Sequence, residues 1–201
     1  MKKYVYISFL MLFFSCSSID KNRIIKSYLL DKNRINKFEE ICNSNKIDIP
    51  DTIFISTIAR SNRTFERHLF TEKVNNHNVF SIWIDCKEKF SLDAEDLMSL
   101  NNQILKSNVE NNLIDDKKLT FNNFVFTNYN DINNINIRNS IIYHFSEPIT
   151  SINNNYSIFY FECNIKTLEK SYCLKSEYIL MEKKNKKWIF KGELCKNNIL
   201  D

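Results

Sequence analysis

The chain has 201 residues, 43% of them hydrophobic and 13% aromatic, and a formal net charge of +4. These values predict a folded protein with a sizeable core, and so mild a charge does not favour nucleic acid as a partner. Gly192 is the only glycine, which excludes glycine-rich nucleotide-binding loops and the GxSxG turn of many hydrolases, and we expect the many asparagines to take the left-handed turn positions instead.

Residues 1–15 have the pattern of a secretory signal peptide. Lys2 and Lys3 precede an apolar run from Tyr4 to Phe14 that only Ser8 interrupts. A run of this length is too short for a helix that crosses a bilayer, which takes ~20 residues. We therefore predict export, followed by a single soluble domain over residues 16–201.

Phe13-Phe14-Ser15-Cys16 resembles the lipobox of bacterial lipoproteins. The resemblance implies that the leader is cut before Cys16 and that Cys16 carries lipid, which would tether the domain to a membrane of the cell envelope. The outer membrane is the preferred location, with the domain in the periplasm or at the cell surface. The alternative is an ordinary cleaved leader with an incidental cysteine.

If Cys16 is lipidated, an odd number of cysteines remains, so they cannot all pair with one another. These are Cys42, Cys86, Cys163, Cys173 and Cys195.

Helical and strand patterns alternate in the N-terminal half. Apolar residues recur at helical spacing from Ile19 to about Asn45, and Asp31-Lys32-Asn33 would divide this segment into two helices that face the core. A further helix is predicted from Ser91 to about Ser107, with Ser91 or Asp93 as its cap and Leu97, Leu100 and Ile104 on its buried face. Strands are predicted at Thr52–Thr57 and Val79–Asp85, joined by an ambiguous segment, 61–74, and an asparagine turn.

The C-terminal half has the period-2 alternation of strands separated by short links. Such links favour antiparallel pairing, so we expect a C-terminal β-meander. Two or three helices covering one face of this sheet would give an α+β domain. The predicted strands are Leu119–Phe126, Arg138–Ser146, Tyr156–Cys163, Tyr172–Glu182 and Lys187–Lys191, with loops at 111–118 and 128–136.

The region from Ile141 to Phe190 also resembles a pattern found in small uncharacterised bacterial envelope proteins. The residues that carry this resemblance are Phe145–Ile149 (FSEPI), Tyr156–Tyr160 (YSIFY) and Lys184–Trp188 (KNKKW). Those proteins have no assigned activity, so the resemblance implies a location and no chemistry.

Cys163 and Cys173 are candidates for a disulfide, because a hairpin centred near Leu168 would place them opposite each other. That symmetric register sets Phe159 opposite Glu177. Shifting it by one residue brings the apolar residues of the second strand onto the Phe159 face and turns Cys173 away. Those apolar residues are Leu174, Tyr178 and Leu180. A disulfide and a pair of small buried thiols both remain open.

No catalytic, cofactor or metal site is predicted. His68, His77 and His144 are the only histidines, and no two have the spacing of metal ligands on one element. His144, on the strand face opposite Tyr143, is expected to be half exposed. Arg60, Arg63 and Arg67 form a basic stretch that could hold an anion, although a solvated surface is the simpler expectation. A dyad of His144 with Cys86 or Cys163 has nothing in the local sequence to favour it.

The combined features favour a non-enzymatic, membrane-anchored domain that binds an envelope protein or a small ligand. The alternative is a small anchored enzyme, hydrolase-like, with a ligand cavity in the α+β domain. Convergence of His144, Glu162 or arginines in a deep pocket would favour the enzyme. A third possibility is an immunity-type lipoprotein that neutralises a toxin.

Overall fold

The structure, a computed structural model, describes residues 21–31, 34, 53–57, 71–74, 77–80, 92–106, 124–127, 140–166 and 171–193. The side chains of 71–74, 77–80, 105–106 and 171–172 are not described. The predicted leader with Cys16 therefore lies outside the described residues. So do Cys42, Cys86, Cys195, His68, the basic stretch Arg60–Arg67, and the loops at 111–118 and 128–136.

Two helices and nine strands lie within the described ranges. The helices are α1 (residues 21–29) and α2 (Ala94–Lys106). The strands are β1 (Ile53–Ser56), β2 (Thr71–Val74), β3 (His77–Phe80), β4 (Phe124–Thr127), β5 (Ser140–Phe145), β6 (Ile149–Thr150), β7 (Tyr156–Lys166), β8 (Ser171–Lys184) and β9 (Lys187–Glu193).

The predicted α+β class is wrong, because the described part of the chain is mostly β. Strands account for 57% of these residues, and seven of them form one mixed sheet. The N-terminal helical pattern from Ile19 to Asn45 yields a described helix of only nine residues. The C-terminal strands are longer than predicted, since β7 has 11 residues and β8 has 14. Strand pairing therefore extends through charged residues that the sequence pattern assigned to links.

The sheet has the strand order β4-β1-β5-β7-β8-β9, with β6 paired to β7, while β2 and β3 form a separate antiparallel pair. Strands β7, β8 and β9 form the predicted meander, and β5 joins them antiparallel. Strand β1 is parallel to both β4 and β5, so the expectation of antiparallel pairing alone is wrong. Parallel neighbours need a long crossover connection, and the segment between β1 and β5, which includes α2, is long enough to supply it.

The two helices contribute to different apolar clusters on opposite faces of the sheet, so the prediction that helices cover one face is also wrong. The α1 face is the face that contains the side chains of Tyr143, Phe159 and Phe161, packed with α1. The α2 face contains Ile158 and Tyr160, packed with α2. Helix α1 contributes Ile24, Ile25, Tyr28 and Leu29, which confirms that its apolar stripe faces the core. Helix α2 contributes Leu97, Leu100 and Ile104, as predicted.

An irregularity in the pairing of β7 with β8 separates the two candidate cysteines. Phe159 pairs with Ile179 and Cys163 with Lys175, but the register then shifts, so that Asn164 pairs with Cys173. Adjacent strand residues point to opposite faces, so Cys163 lies on the α1 face and Cys173, beside Asn164, on the α2 face. Cys163 is buried, Cys173 is exposed, and no disulfide joins them.

This register also corrects the predicted face of β8. Tyr178 pairs with Tyr160 and Leu180 with Ile158, so both lie on the α2 face and not with Phe159. Only Leu174, beside the irregularity, packs against the α1-face cluster as predicted.

Asparagine does take turn positions that require left-handed backbone. Asn154 has a φ of 57° in the turn before β7, and Asn185 has a φ of 50° between β8 and β9. Lys186 follows with a φ of 63°, so this two-residue hairpin turn has the positive φ pair for which Asn-Gly is usually preferred. The expected substitution of asparagine for glycine in turns is confirmed at these two positions.

Replacing Asp93 with Ala should destabilise the fold by about 1 kcal/mol, the usual cost of losing a helix cap. Asp93 Oδ1 accepts a hydrogen bond of 2.6 Å from the Asp96 amide at the start of α2. The free energy of unfolding in urea measures the loss. Asp93→Asn keeps the acceptor oxygen and is the control; an equal loss in both variants would contradict a capping role.

Alkylation of the folded protein should modify Cys173 and spare Cys163 until the protein is unfolded, because Cys163 is 1% exposed and Cys173 is exposed. Peptide mass spectrometry after iodoacetamide treatment, with and without denaturant, measures both rates. A Cys163–Cys173 linked peptide in a non-reduced digest would overturn the described register.

Candidate functional site

A buried arginine lies between α1 and the sheet. Asp31 Oδ1 accepts a hydrogen bond of 3.2 Å from the amide of Arg34, an i to i+3 contact typical of a helix start. The Cζ atom of Arg34 lies 5.4 Å from the ring centroid of Tyr28, on α1, and 5.4 Å from that of Tyr143, on β5. Both distances are within the range of cation–π attraction. We call these three residues the Arg34 cluster.

The guanidinium of Arg34 is charged and buried, but its polar contacts are few. Arg34 is 8% exposed, and its Nε has no hydrogen-bond partner. No carboxylate among the described residues forms an ion pair with it. Removing a charge from water is costly unless the charge is paired. The two tyrosine rings offset part of this cost, so the cluster retains a positive charge that is not paired with a carboxylate of the described residues.

A second charged group lies on the α1 face, where β8 meets β9. Lys175 Nζ lies 2.8 Å from Glu177 Oε1 and 2.8 Å from Glu193 Oε1. Glu177 is 1% exposed because it pairs with Phe161 of β7 and points into the aromatic core. We call Lys175, Glu177 and Glu193 the Lys175 triad.

Burial raises the pKa of Glu177 to about 8; Lys175 opposes the rise and the neighbouring Glu193 adds to it. Glu177 is therefore largely protonated at neutral pH, and a single lysine is left to balance Glu193. The pKa of Tyr28 is also raised well above its usual value, first by burial and then by Glu177, whereas Arg34 lowers it. Tyr28 thus stays a neutral phenol and lies in the electrostatic range of both charged groups.

The α2 face has a separate polar group along one line across three strands. His144 of β5 pairs with Glu162 of β7, which pairs with Ser176 of β8. Tyr160 donates a hydrogen bond of 3.1 Å to Glu162 Oε2, and Asn164 donates one of 2.5 Å to Oε1. We call His144, Glu162 and Ser176 the His144 row.

The structure brings His144 and Glu162 together, but in a closed arrangement. His144 is 3% exposed, so the prediction that it is half exposed is wrong. The reason is that the sheet is covered on both faces at β5, all of whose residues are buried. Both Glu162 oxygens accept hydrogen bonds within the protein, and burial followed by Glu162 raises the pKa of Tyr160. The His144 row and the Lys175 triad lie on opposite faces and do not form one site.

The described residues contain neither a metal-binding group nor a helix suited to crossing a membrane. His77 lies in β3, whose backbone alone is described. No group of three His, Cys, Asp or Glu side chains within the described ranges could hold a metal ion. Over the same ranges, neither helix is long and apolar enough to cross a membrane.

Sequence reasoning missed the roles of Arg34 and Glu177. Tyr28 was expected in the core, but nothing in the local pattern marked Arg34 as its buried neighbour. The sequence pattern disfavours the symmetric register because it sets Glu177 opposite Phe159. In the structure Glu177 nevertheless lies opposite another aromatic residue, Phe161. A charged residue on an otherwise apolar strand face was the one available signal.

The chain matches no known protein family, no curated protein and no solved structure.

Between pH 5 and pH 8 the protein should lose stability because of Glu177. Its folded pKa, about 8, exceeds the ordinary value of 4.5. The folded state therefore holds a proton that the unfolded state has released, and this stabilisation is complete below pH 4.5 and is lost as the pH rises through 8. The slope is on the order of 1.4 kcal/mol per pH unit for a fully shifted group.

Glu177→Gln should abolish this slope, because the amide imitates the protonated acid at every pH. Urea unfolding at pH 5, 6.5 and 8 measures it. Glu182→Gln is the matched control on β8. Burial raises the pKa of Glu182, but the hydrogen bonds from Lys191 and Lys184 outweigh this effect, so the pKa is lowered. The contribution of Glu182 to stability is therefore lost only as the pH falls. An unchanged slope in Glu177→Gln would contradict the assignment.

Proposed function

We propose that this chain is a lipid-anchored protein of the bacterial cell envelope, whose sheet domain binds a small ligand or an envelope protein and catalyses no reaction. The lipobox-like residues Phe13–Cys16 support the anchor and the location. Two or more acyl chains hold a protein at a membrane far more firmly than one. The domain would then act close to the membrane surface, in the periplasm or outside the cell.

The observation that carries the binding function is the Arg34 guanidinium packed against two tyrosine rings. Recognition needs a polar group whose position is fixed before the ligand arrives. Tyr28 and Tyr143 are 1% and 0% exposed and fix Arg34 from a helix and from a central strand. Its unsatisfied Nε remains able to donate. The His144 row differs, because the oxygens of Glu162 are already engaged by Tyr160 and Asn164.

One observation favours the alternative, a small membrane-anchored enzyme. Glu177 has a pKa near 8 and lies beside Lys175, and a carboxyl group with a pKa near the working pH is suited to general acid–base catalysis. Buried structural ion pairs shift pKa values in the same way. In this protein Glu177 is 1% exposed and points into an aromatic core, which favours the structural interpretation.

The two functions can be separated by assaying hydrolysis of chromogenic ester, phosphate and glycoside substrates by the full chain and by Glu177→Gln. On the binding proposal, both proteins hydrolyse each substrate no faster than the heat-denatured chain. Turnover by the wild type that falls at least tenfold in Glu177→Gln would establish the enzyme instead.

Cys16→Ser should move the protein from the membrane fraction into the soluble fraction, because it removes the thiol that would carry the lipid. Fractionation of expressing bacteria followed by immunoblotting measures this, and metabolic labelling with a clickable fatty acid should label the wild type and not Cys16→Ser. Ser17→Ala is the matched control and should stay in the membrane. Unchanged partitioning and labelling of Cys16→Ser would overturn the anchor.

A further inference from the structure

We propose that Arg34 binds the carboxylate of a small organic anion between α1 and β5. This inference deepens the proposed binding function by naming the chemical class of its ligand. It rests on contacts of the described residues and not on the leader, so the site and the anchor can be tested separately.

The first step is the charge balance of the α1 face. Among the described residues, the acidic side chains near this region are Asp31, which accepts a hydrogen bond from the Arg34 amide, and Glu177 and Glu193, each with a carboxyl oxygen 2.8 Å from Lys175. Burial favours the neutral form of Glu177, so the triad carries little net charge. None of these carboxylates forms an ion pair with the guanidinium of Arg34. An anion bound there would supply the ion pair that the described residues do not.

The second step is the geometry of the guanidinium. Its Cζ atom lies 5.4 Å from the ring centroids of both Tyr28 and Tyr143. Its N–H groups lie in the guanidinium plane and point away from its π surface. A ligand that uses these donors must approach along the edge that includes Nε, whose buried hydrogen has no acceptor. Burying a donor without an acceptor is unfavourable, and an incoming acceptor removes that cost.

The third step selects the ligand class. The edge of a guanidinium donates two parallel hydrogen bonds, and a planar carboxylate accepts both. A carboxylate fits this planar edge with its two coplanar oxygens, whereas the oxygens of a phosphate are arranged tetrahedrally and carry a larger charge that costs more to remove from water. The aromatic walls favour an apolar group next to the carboxylate. Benzoate is therefore the preferred simple probe over acetate.

The test is the thermal stability of the full chain in detergent, titrated with benzoate, acetate or N-acetyl-Ala-Ala at constant ionic strength set by chloride. The last probe imitates the end of a peptide, so comparison with benzoate separates a small-molecule ligand from a peptide. We expect at least one carboxylate to raise the Tm with a saturable dependence on concentration. Inorganic phosphate and C-terminally amidated N-acetyl-Ala-Ala should have no more effect than chloride.

Arg34→Gln should weaken carboxylate binding at least tenfold, and Arg34→Lys should weaken it less, because lysine keeps the charge and loses the fork. Arg23→Gln removes an exposed arginine from α1 and should leave binding unchanged. If circular dichroism shows that Arg34→Gln is unfolded, Arg34→Lys and isothermal titration of the wild type decide.

Several outcomes would overturn the site: no carboxylate effect beyond that of chloride, a larger effect of phosphate than of every carboxylate, or equal binding by the wild type and the folded Arg34 variants. Loss of carboxylate binding with normal membrane attachment would refute this inference alone. A soluble wild-type protein that binds carboxylate would refute the anchor alone.

Discussion

The fold depends on the pairing of β5 with β7, because these strands have apolar neighbours on both faces. Every residue of β5 is buried, and six residue pairs join it to β7. Side chains alternate across the ladder, so Phe159 and Phe161 contribute to the α1 face while Ile158 and Tyr160 contribute to the α2 face. Both faces of this central strand pair must therefore be covered by other elements. Helix α1 covers part of one face and α2 part of the other. The aromatic contacts of Tyr28 with Phe159 and Phe161, each with ring centroids 5.4 Å apart, join α1 to this pair.

The irregularity between β7 and β8 determines which polar side chains share a face. Before it, Glu177 is opposite Phe161 and therefore lies in the aromatic core; beyond it, Cys173 is opposite Asn164 on the other face. A register shift of one residue reverses the face of every side chain that follows. The same local feature therefore places Cys173 near the His144 row and prevents a bond between Cys163 and Cys173, while a second register shift, between β8 and β9, brings Glu193 onto the face of Glu177.

Sequence patterns predicted local features better than their assembly. The Asp93 cap, the buried face of α2, the alternation of Ile141, Tyr143 and Phe145, and the meander follow from periodicity and capping, which are properties of neighbouring residues. The parallel position of β1 and the two-sided burial of β5 depend on contacts between distant segments. A continuous apolar strand such as β5 indicates burial on both faces, and Ile142 supplied that signal beside the polar His144. The Arg34 cluster could not be predicted from the sequence, because Arg34 lies near a helix break and Tyr143 is more than a hundred positions away in the chain.

Two buried ionisable groups on the α1 face respond to desolvation in opposite ways, and this difference separates binding from chemistry. Glu177 can become neutral by taking up a proton, so its burial needs no ligand and its raised pKa is the expected consequence. Arg34 is different, because the described residues provide its guanidinium with two aromatic rings and no ion pair. The cost that remains at Arg34 can be reduced only by an anion from outside the described residues. The residue most suited to recognition is therefore Arg34, whereas burial alone explains the raised pKa of Glu177.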